Sequence, residues 1–217
     1  MTENQPRRPG RPAGTSKSAD KRDLLLDTAL KMFAQQGIAE TPLSAIAREA
    51  GVTSAMLHYY FNTREQLLDV LIDERFLPAR ASVGSLFEAH PNDPVAAITA
   101  LAQRFIDISV KHSWFAPLWI REVLSESGLL KERMDARFGD NEKKAVHQCM
   151  LGWQKQGYLN PDIEPELVFL SLFGLTLLPI AAMQNHRIAG KTKLTAEDLS
   201  RHVAALLLRG IAPQNKE

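Results

Sequence analysis

Residues 41–67 constrain the fold of this chain more than any other stretch. They read as two short helices joined at Ala50-Gly51-Val52, with a third helix starting soon after. Gly51 is where the first must stop, because glycine accepts the left-handed conformation just past a helix end without a Cβ clash. Two short helices about such a turn form a helix-turn-helix. The second, over about 53–60, carries Ser54, Met56, His58, Tyr59 and Tyr60, a density of small polar and aromatic groups that a buried helix does not choose. A helix of that kind is suited to the major groove of double-stranded DNA.

The apolar spacing supplies a core for this unit. Ile46, Ala47, Ala50, Val52, Leu57 and Phe61 point to one side, and a preceding helix over about 19–36 places Leu25, Ala29, Met32 and Phe33 at helical intervals before ending at Gly37. Thr63 stands three residues before Gln66, the spacing of a capping box, so a fourth helix is expected from Arg64 to about Arg75. Within this geometry Ser54 and Met56 are expected at base edges, while His58, Tyr59, Tyr60 and Ser44 reach backbone oxygens. Arg64, beside the free amides of the fourth helix, is a candidate phosphate contact.

Three blocks in fixed order, Ala29-Leu30-Lys31-Met32-Phe33-Ala34-Gln35-Gln36-Gly37, Ile46-Ala47-Arg48-Glu49-Ala50-Gly51-Val52-Thr53 and Leu57-His58-Tyr59-Tyr60-Phe61-Asn62-Thr63-Arg64-Glu65-Gln66-Leu67, resemble the tetracycline-repressor-like (TetR) family of bacterial regulators. The resemblance is close over 20–75 and extends further only in length and helical character. It departs from the family pattern at Ala55, where Gly is usual, at His58 for Tyr, at Arg64 for Lys and at Pro42 for Thr. His58 is the consequential change, because an imidazole's charge depends on pH where a phenol's does not. The resemblance implies an all-α homodimer, with three helices binding an operator, a fourth linking them to a sensing domain, and two late helices pairing in a four-helix interface. It also implies a small-molecule effector of unknown identity, and repression as the mode of regulation, with activation as the alternative.

Net charge is +1, but it is unevenly placed. Residues 1–22 hold Arg7, Arg8, Arg11, Lys17, Lys21 and Arg22 against Glu3 and Asp20, leaving the remainder at −3. Prolines and glycines keep 7–14 slim and non-helical, so this arm fits a narrow A·T-rich minor groove, with Gly10-Arg11-Pro12 as a partial AT-hook. The alternative is a solvated cationic tail that adds only nonspecific attraction. Three regions follow: a basic arm without fixed structure over 1–18, the helix-turn-helix unit with its linking helix over 19–75, and a helical sensing and dimerisation domain over 76–217.

Beyond a junction at Phe76-Leu77-Pro78, Asp93 is placed to cap a helix whose first residue is Pro94. Helices are expected over about 94–111, 115–125, 129–138, 141–156, 165–184 and 195–208, with no sheet, since no stretch alternates with period two. The first of these buries Ile98, Leu101, Ala102, Phe105 and Ile108. The candidate effector site gathers Phe105, His112, Trp119, Arg121, Glu122, His147, Trp153 and Phe169. For the aromatics the alternative is an ordinary core, and for Arg121 and Glu122 a structural or surface ion pair. The candidate dimer face takes Leu167, Leu170, Ser171, Gly174, Leu178 and Ala181 from one helix and Leu199, Val203, Leu206 and Leu207 from the last.

The composition, 45% hydrophobic and 24% charged, is that of a soluble cytoplasmic protein. The longest apolar run, 167–183, is interrupted by Ser171, Gly174, Thr176 and Pro179, so a membrane span is not expected, and no secretory leader is read at the start. Cys149 is the lone cysteine and the histidines show no ligand spacing, so neither disulfide, metal nor cofactor is implied. An all-helical enzyme that carries a helix-turn-helix lacks a nucleophile elbow, a phosphate loop or a carboxylate pair, so no catalytic residue is assigned. A purely architectural minor-groove protein leaves the large apolar second domain without a purpose.

Overall fold

The computed structural model describes residues 14–124, 128–138, 141–184 and 194–212, and every regular element among them is helical. The head comprises α1 (Gly14–Gln36), α2 (Leu43–Glu49) and α3 (Ser54–Tyr60). Its stops follow from local chemistry. Gly51 has φ of +66°. Around it Gly51 N donates to Arg48 O and Val52 N to Ala47 O, the paired bonds of a Schellman turn. Thr53 then starts α3 by accepting the Met56 amide. Leu25, Ala29, Phe33, Ile46, Ala47, Leu57 and Phe61 are all buried together, as their spacing dictates.

Two parts of the head differ from expectation. α1 begins at Gly14 instead of 19, because the prolines that forbid a helix end at Pro12, and Ser18 is tied to Tyr60. The arginines of the arm, Arg7, Arg8 and Arg11, lie outside the described residues.

No break occurs at 76–78. α4 (Arg64–Leu71) passes through a π-helical turn, Ile72–Phe76, straight into α5 (Leu77–Ala89), an element the sequence reading left out. Leu77 N donates to Ile72 O across this wider turn. Pro78 can neither donate a bond nor tolerate a tight carbonyl four residues back, so widening the turn immediately before it lets the helix continue.

The second domain is built around α6 (Pro94–Lys111), which Asp93 caps at the Ala96 amide as expected. α5, α10 (Val168–Gln184) and α11 (Ala196–Ile211) pack on it, and α7 (Phe115–Leu124) bridges α10 to α1. α8 (Leu129–Phe138) and α9 (Asn141–Lys155) complete the set, with a short 3₁₀ turn, Pro165–Leu167, leading into α10. That turn plus α10 is long and apolar enough to cross a membrane by length and composition. Here one side of it, with Leu172, Thr176, Leu177 and Ile180, is buried in the domain.

The other side of α10 exposes Leu167, Leu170, Ser171, Gly174 and Leu178, so five of the residues assigned to a dimer face do form one free stripe. α11 divides differently. Leu199 and Val203 are buried inside the subunit, where α11 lies along α6, so they cannot contribute surface to a partner; Leu206 is exposed. An amphipathic helix presents leucines to both sides, and only the packing of α11 on α6 tells which are taken.

Candidate DNA interface and effector site

One turn of backbone decides which residues of α3 face outward. Ser54, Ala55, His58 and Tyr59 fall on a single exposed arc, while Leu57 and Phe61 anchor the opposite side. Tyr59 is 82% exposed, an unusual position for a phenol that no partner covers. Met56 is half-covered by the chain and flanks the exposed arc, on which Ala55 stands. Tyr60 is also turned aside. Its hydroxyl donates to the Ser18 carbonyl and lies 2.7 Å from the Ser18 hydroxyl, so it ties α3 to the start of α1. His58 sits with Nδ1 3.3 Å from the Asn62 carbonyl, at the end of the same helix.

Ser44 is exposed on α2, near the front of the unit. At the start of α4, Thr63 accepts the Gln66 amide and the Gln66 side chain accepts the Asn62 amide, one residue ahead of the expected box partner. Arg64 is half-buried; its Nη2 donates to the Thr41 carbonyl at 3.2 Å, and its Nε is shielded from solvent without a partner. The guanidinium therefore braces the approach to α2.

Behind the head, the aromatic side chains form two groups instead of one. In the first, Trp119 stacks on Phe173 with centroids 5.7 Å apart, Phe105 meets Phe173 at 5.0 Å, and Phe76 meets Trp114, Phe115 and Trp119. In the second, Phe87 stacks on Trp153 and Phe169. The expected set of Phe105, Trp119, Trp153 and Phe169 is thus divided, because Phe169 and Phe173, one turn apart on α10, serve different groups. Trp153 is wholly buried and its indole N–H donates to the Pro91 carbonyl, which makes it core. Trp119 is the opposite case: its Nε1 is buried with no acceptor.

The polar candidates scatter. Arg121 donates to the Gln35 carbonyl at the end of α1, and the buried Glu122 accepts the Leu130 amide of α8, so both are engaged away from the rings. Burial raises the Glu122 carboxyl above its ordinary value, with the Leu130 and Lys131 amides pulling the other way. His112 lies against Trp114, and burial, reinforced by Lys111, lowers its imidazole below the usual range. His147 is half-buried on α9. Phe76 and Phe87, hubs of the two groups, were passed over in the sequence because no helix was read across 76–89. Continuing the α4 stripe of Leu68, Leu71 and Ile72 by one more turn would have reached Phe76. No group of three or more His, Cys, Asp or Glu suited to a metal occurs among the described residues.

A family model described as bacterial regulatory proteins of the tetR family matches residues 25–71, from the core of α1 through α2 and α3 to the end of α4. The head therefore resembles the DNA-binding head of the TetR family. Full-length similarity agrees: the HTH-type transcriptional regulator RutR of Escherichia coli K12 is 28% identical over 206 residues, covering 89% of this chain and 92% of that protein. BetI of Rhizobium meliloti is 35% identical over 103 residues, 45% of each chain. Among solved structures, the ketosteroid transcriptional regulator KstR2 of Mycobacterium tuberculosis superposes with a TM-score of 0.65 at 20% identity, over 89% of this chain and 96% of that one. NalD, the secondary repressor of a multidrug efflux pump in Pseudomonas aeruginosa, gives 0.62 at 19% identity, over 91% and 98%. In keeping with these relatives, this protein is a DNA-binding transcriptional regulator.

Proposed function

We propose that the protein is a repressor that holds a palindromic operator as a homodimer in the cytoplasm, and releases it when a small molecule enters the group of rings between α6, α7 and α10. The observation that carries the effector half is Trp119, whose indole N–H is buried without an acceptor inside a ring of Phe76, Phe115 and Phe173. An unmet buried donor costs roughly 1–3 kcal/mol, which a ligand acceptor would recover. The effector is accordingly flat and largely apolar, with at least one hydrogen-bond acceptor. Phe76 joins that site to α4 and its continuation, the lever that carries the head, since it ends the π-turn that continues α4.

Support for the dimer comes from the free α10 stripe, with Leu170 and Leu178 more than half exposed, and from Leu206 beside it in the last helix. A single recognition helix reads one half-site, so two-fold pairing gives an operator of useful length. The arm with Arg7, Arg8 and Arg11 would add affinity at A·T-rich flanks. Mass spectrometry of compounds retained by gently purified protein supplies a candidate effector, and binding-site selection from random duplexes supplies an operator. Trp119→Phe keeps the ring but removes the donor, so effector affinity should fall about tenfold with operator affinity unchanged. A Trp119→Phe protein that responds as the parent does would remove this site from the reading.

A further inference from the structure

We propose that two ion pairs between α4 and α8 form a releasable latch that sets the tilt of the DNA-binding head, and that the adjacent Arg121 and Glu122 on α7 connect the latch to the effector site. The proposal deepens the functional reading above and rests on it only for the direction in which the signal runs.

The latch has two rungs. Arg133 Nε and Nη2 donate to Asp69 Oδ1 and Oδ2 at 3.0 and 2.8 Å, a forked pair, and Arg137 Nη2 donates to Asp73 Oδ2 at 2.6 Å. Both acids lie on the lever, Asp69 in α4 and Asp73 in its π-turn; both arginines lie on α8, one helical turn apart. Beside the rungs the two helices border a cleft of about 230 Å³, with Arg64 and Leu68 on one side and Leu129 and Ala136 on the other. The two rungs are long side chains reaching past the edge of that cleft. Those four side chains are 31–41% exposed, which leaves their attraction modest and open to screening by salt. Such a contact can be made and broken without dismantling a core.

α8 in turn hangs from α7. Glu122 accepts the Leu130 amide in the first turn of α8, and Gly128 passes so close that a Cβ there would lie 2.7 Å from the Glu122 carbonyl oxygen. On the neighbouring position Arg121 grips the Gln35 carbonyl at the end of α1, and Trp119 stands in the ring group. One short helix thus touches the rings, the head and the root of the latch. A shift of α7 carries α8 with it and moves both rungs against α4.

The test reads the position of the head directly. Spin labels are placed on Tyr59→Cys in α3 and Arg104→Cys in α6, in a Cys149→Ser background, with excess unlabelled protein so that only distances within one chain register. The parent should give one narrow distance. Arg133→Ala with Arg137→Ala should broaden or displace it, and about 1 M salt, which shortens screening to about 3 Å, should do the same to the parent. The exchange Asp69→Arg with Arg133→Asp should restore the narrow distance. Glu122→Ala should loosen the head as well, whereas Glu122→Gln, which still accepts the amide, should not. A distance unmoved by the paired alanines and by salt overturns the latch; a distance moved by these but not by Glu122→Ala overturns the connection to α7. Circular dichroism of each variant separates loss of the latch from loss of fold, and the salt series needs no substitution in the latch itself. Because neither DNA nor effector enters the measurement, its failure is distinct from failure of the proposed function.

Discussion

Replacing Glu122 should separate two opposing effects of one carboxylate. The residue is only 4% exposed, and its carboxylate serves the Leu130 and Lys131 amides at the start of α8. Glu122→Ala leaves these two donors without an acceptor, at about 1–3 kcal/mol each, while it also removes a charge that burial disfavours. A net loss of about 2–3 kcal/mol follows, and in a chain of this size that lowers Tm by roughly 4–12 °C. Glu122→Gln keeps an acceptor and discards the charge. Because the folded carboxyl is raised above its unfolded value, its contribution is fully present below about pH 4.3 and is lost as pH rises through the folded value. The glutamine protein should therefore match the parent near pH 4 and equal or exceed it at pH 7. Urea and thermal unfolding of the three proteins between pH 4 and 8 measure this. An alanine variant within about 1 °C of the parent, or a glutamine variant as unstable as alanine at pH 7, would refute the reasoning.

Gly51→Ala should cost about 1–2 kcal/mol by urea unfolding although nothing lies within 4 Å of the added Cβ, since φ of +66° is the whole penalty. The His112 imidazole should titrate below its ordinary value by NMR, and the parent should lose stability as pH falls below about 6.5, a slope that His112→Asn removes. Leu170→Glu should dissociate the proposed dimer in sedimentation without weakening the subunit, whereas Val203→Ala, at a position 1% exposed, should cost roughly 2 kcal/mol in the subunit itself.

The parts of this fold that were legible in sequence are those that a few adjacent residues settle by themselves. Gly51 fixed a turn, Thr53, Thr63 and Asp93 marked helix starts, and the spacing of Leu25, Ala29 and Phe33 named the wall of the head. What was not legible depended on neighbours distant in sequence. Ala55 and Met56 differ in exposure by one position on α3, a rotation of about 100° whose effect becomes visible only when the back of the helix is known. Leu199 and Leu206 have the same chemistry and opposite fates, because α6 claims one and not the other. Arg121 and Glu122 were paired in the sequence with the aromatics; adjacent on a helix, they point to different elements. Pro78 suggested a break, and the wider turn ahead of it is an accommodation that no local rule required.

That wider turn makes α4 and α5 one rod with a fixed phase error. An extra residue in a turn rotates everything downstream by about 100° relative to an uninterrupted α-helix. Relative to Asp69 ahead of the turn, Phe76 at its end holds its bearing toward Trp119 only with that offset in place. A chimera that grafts this head onto another sensor must therefore be cut after Phe76 and not before Ile72. A seam placed upstream would deliver a well-formed helix whose aromatic hub faces the wrong way relative to the head, as if two threaded parts had been joined more than a quarter of a revolution out of step.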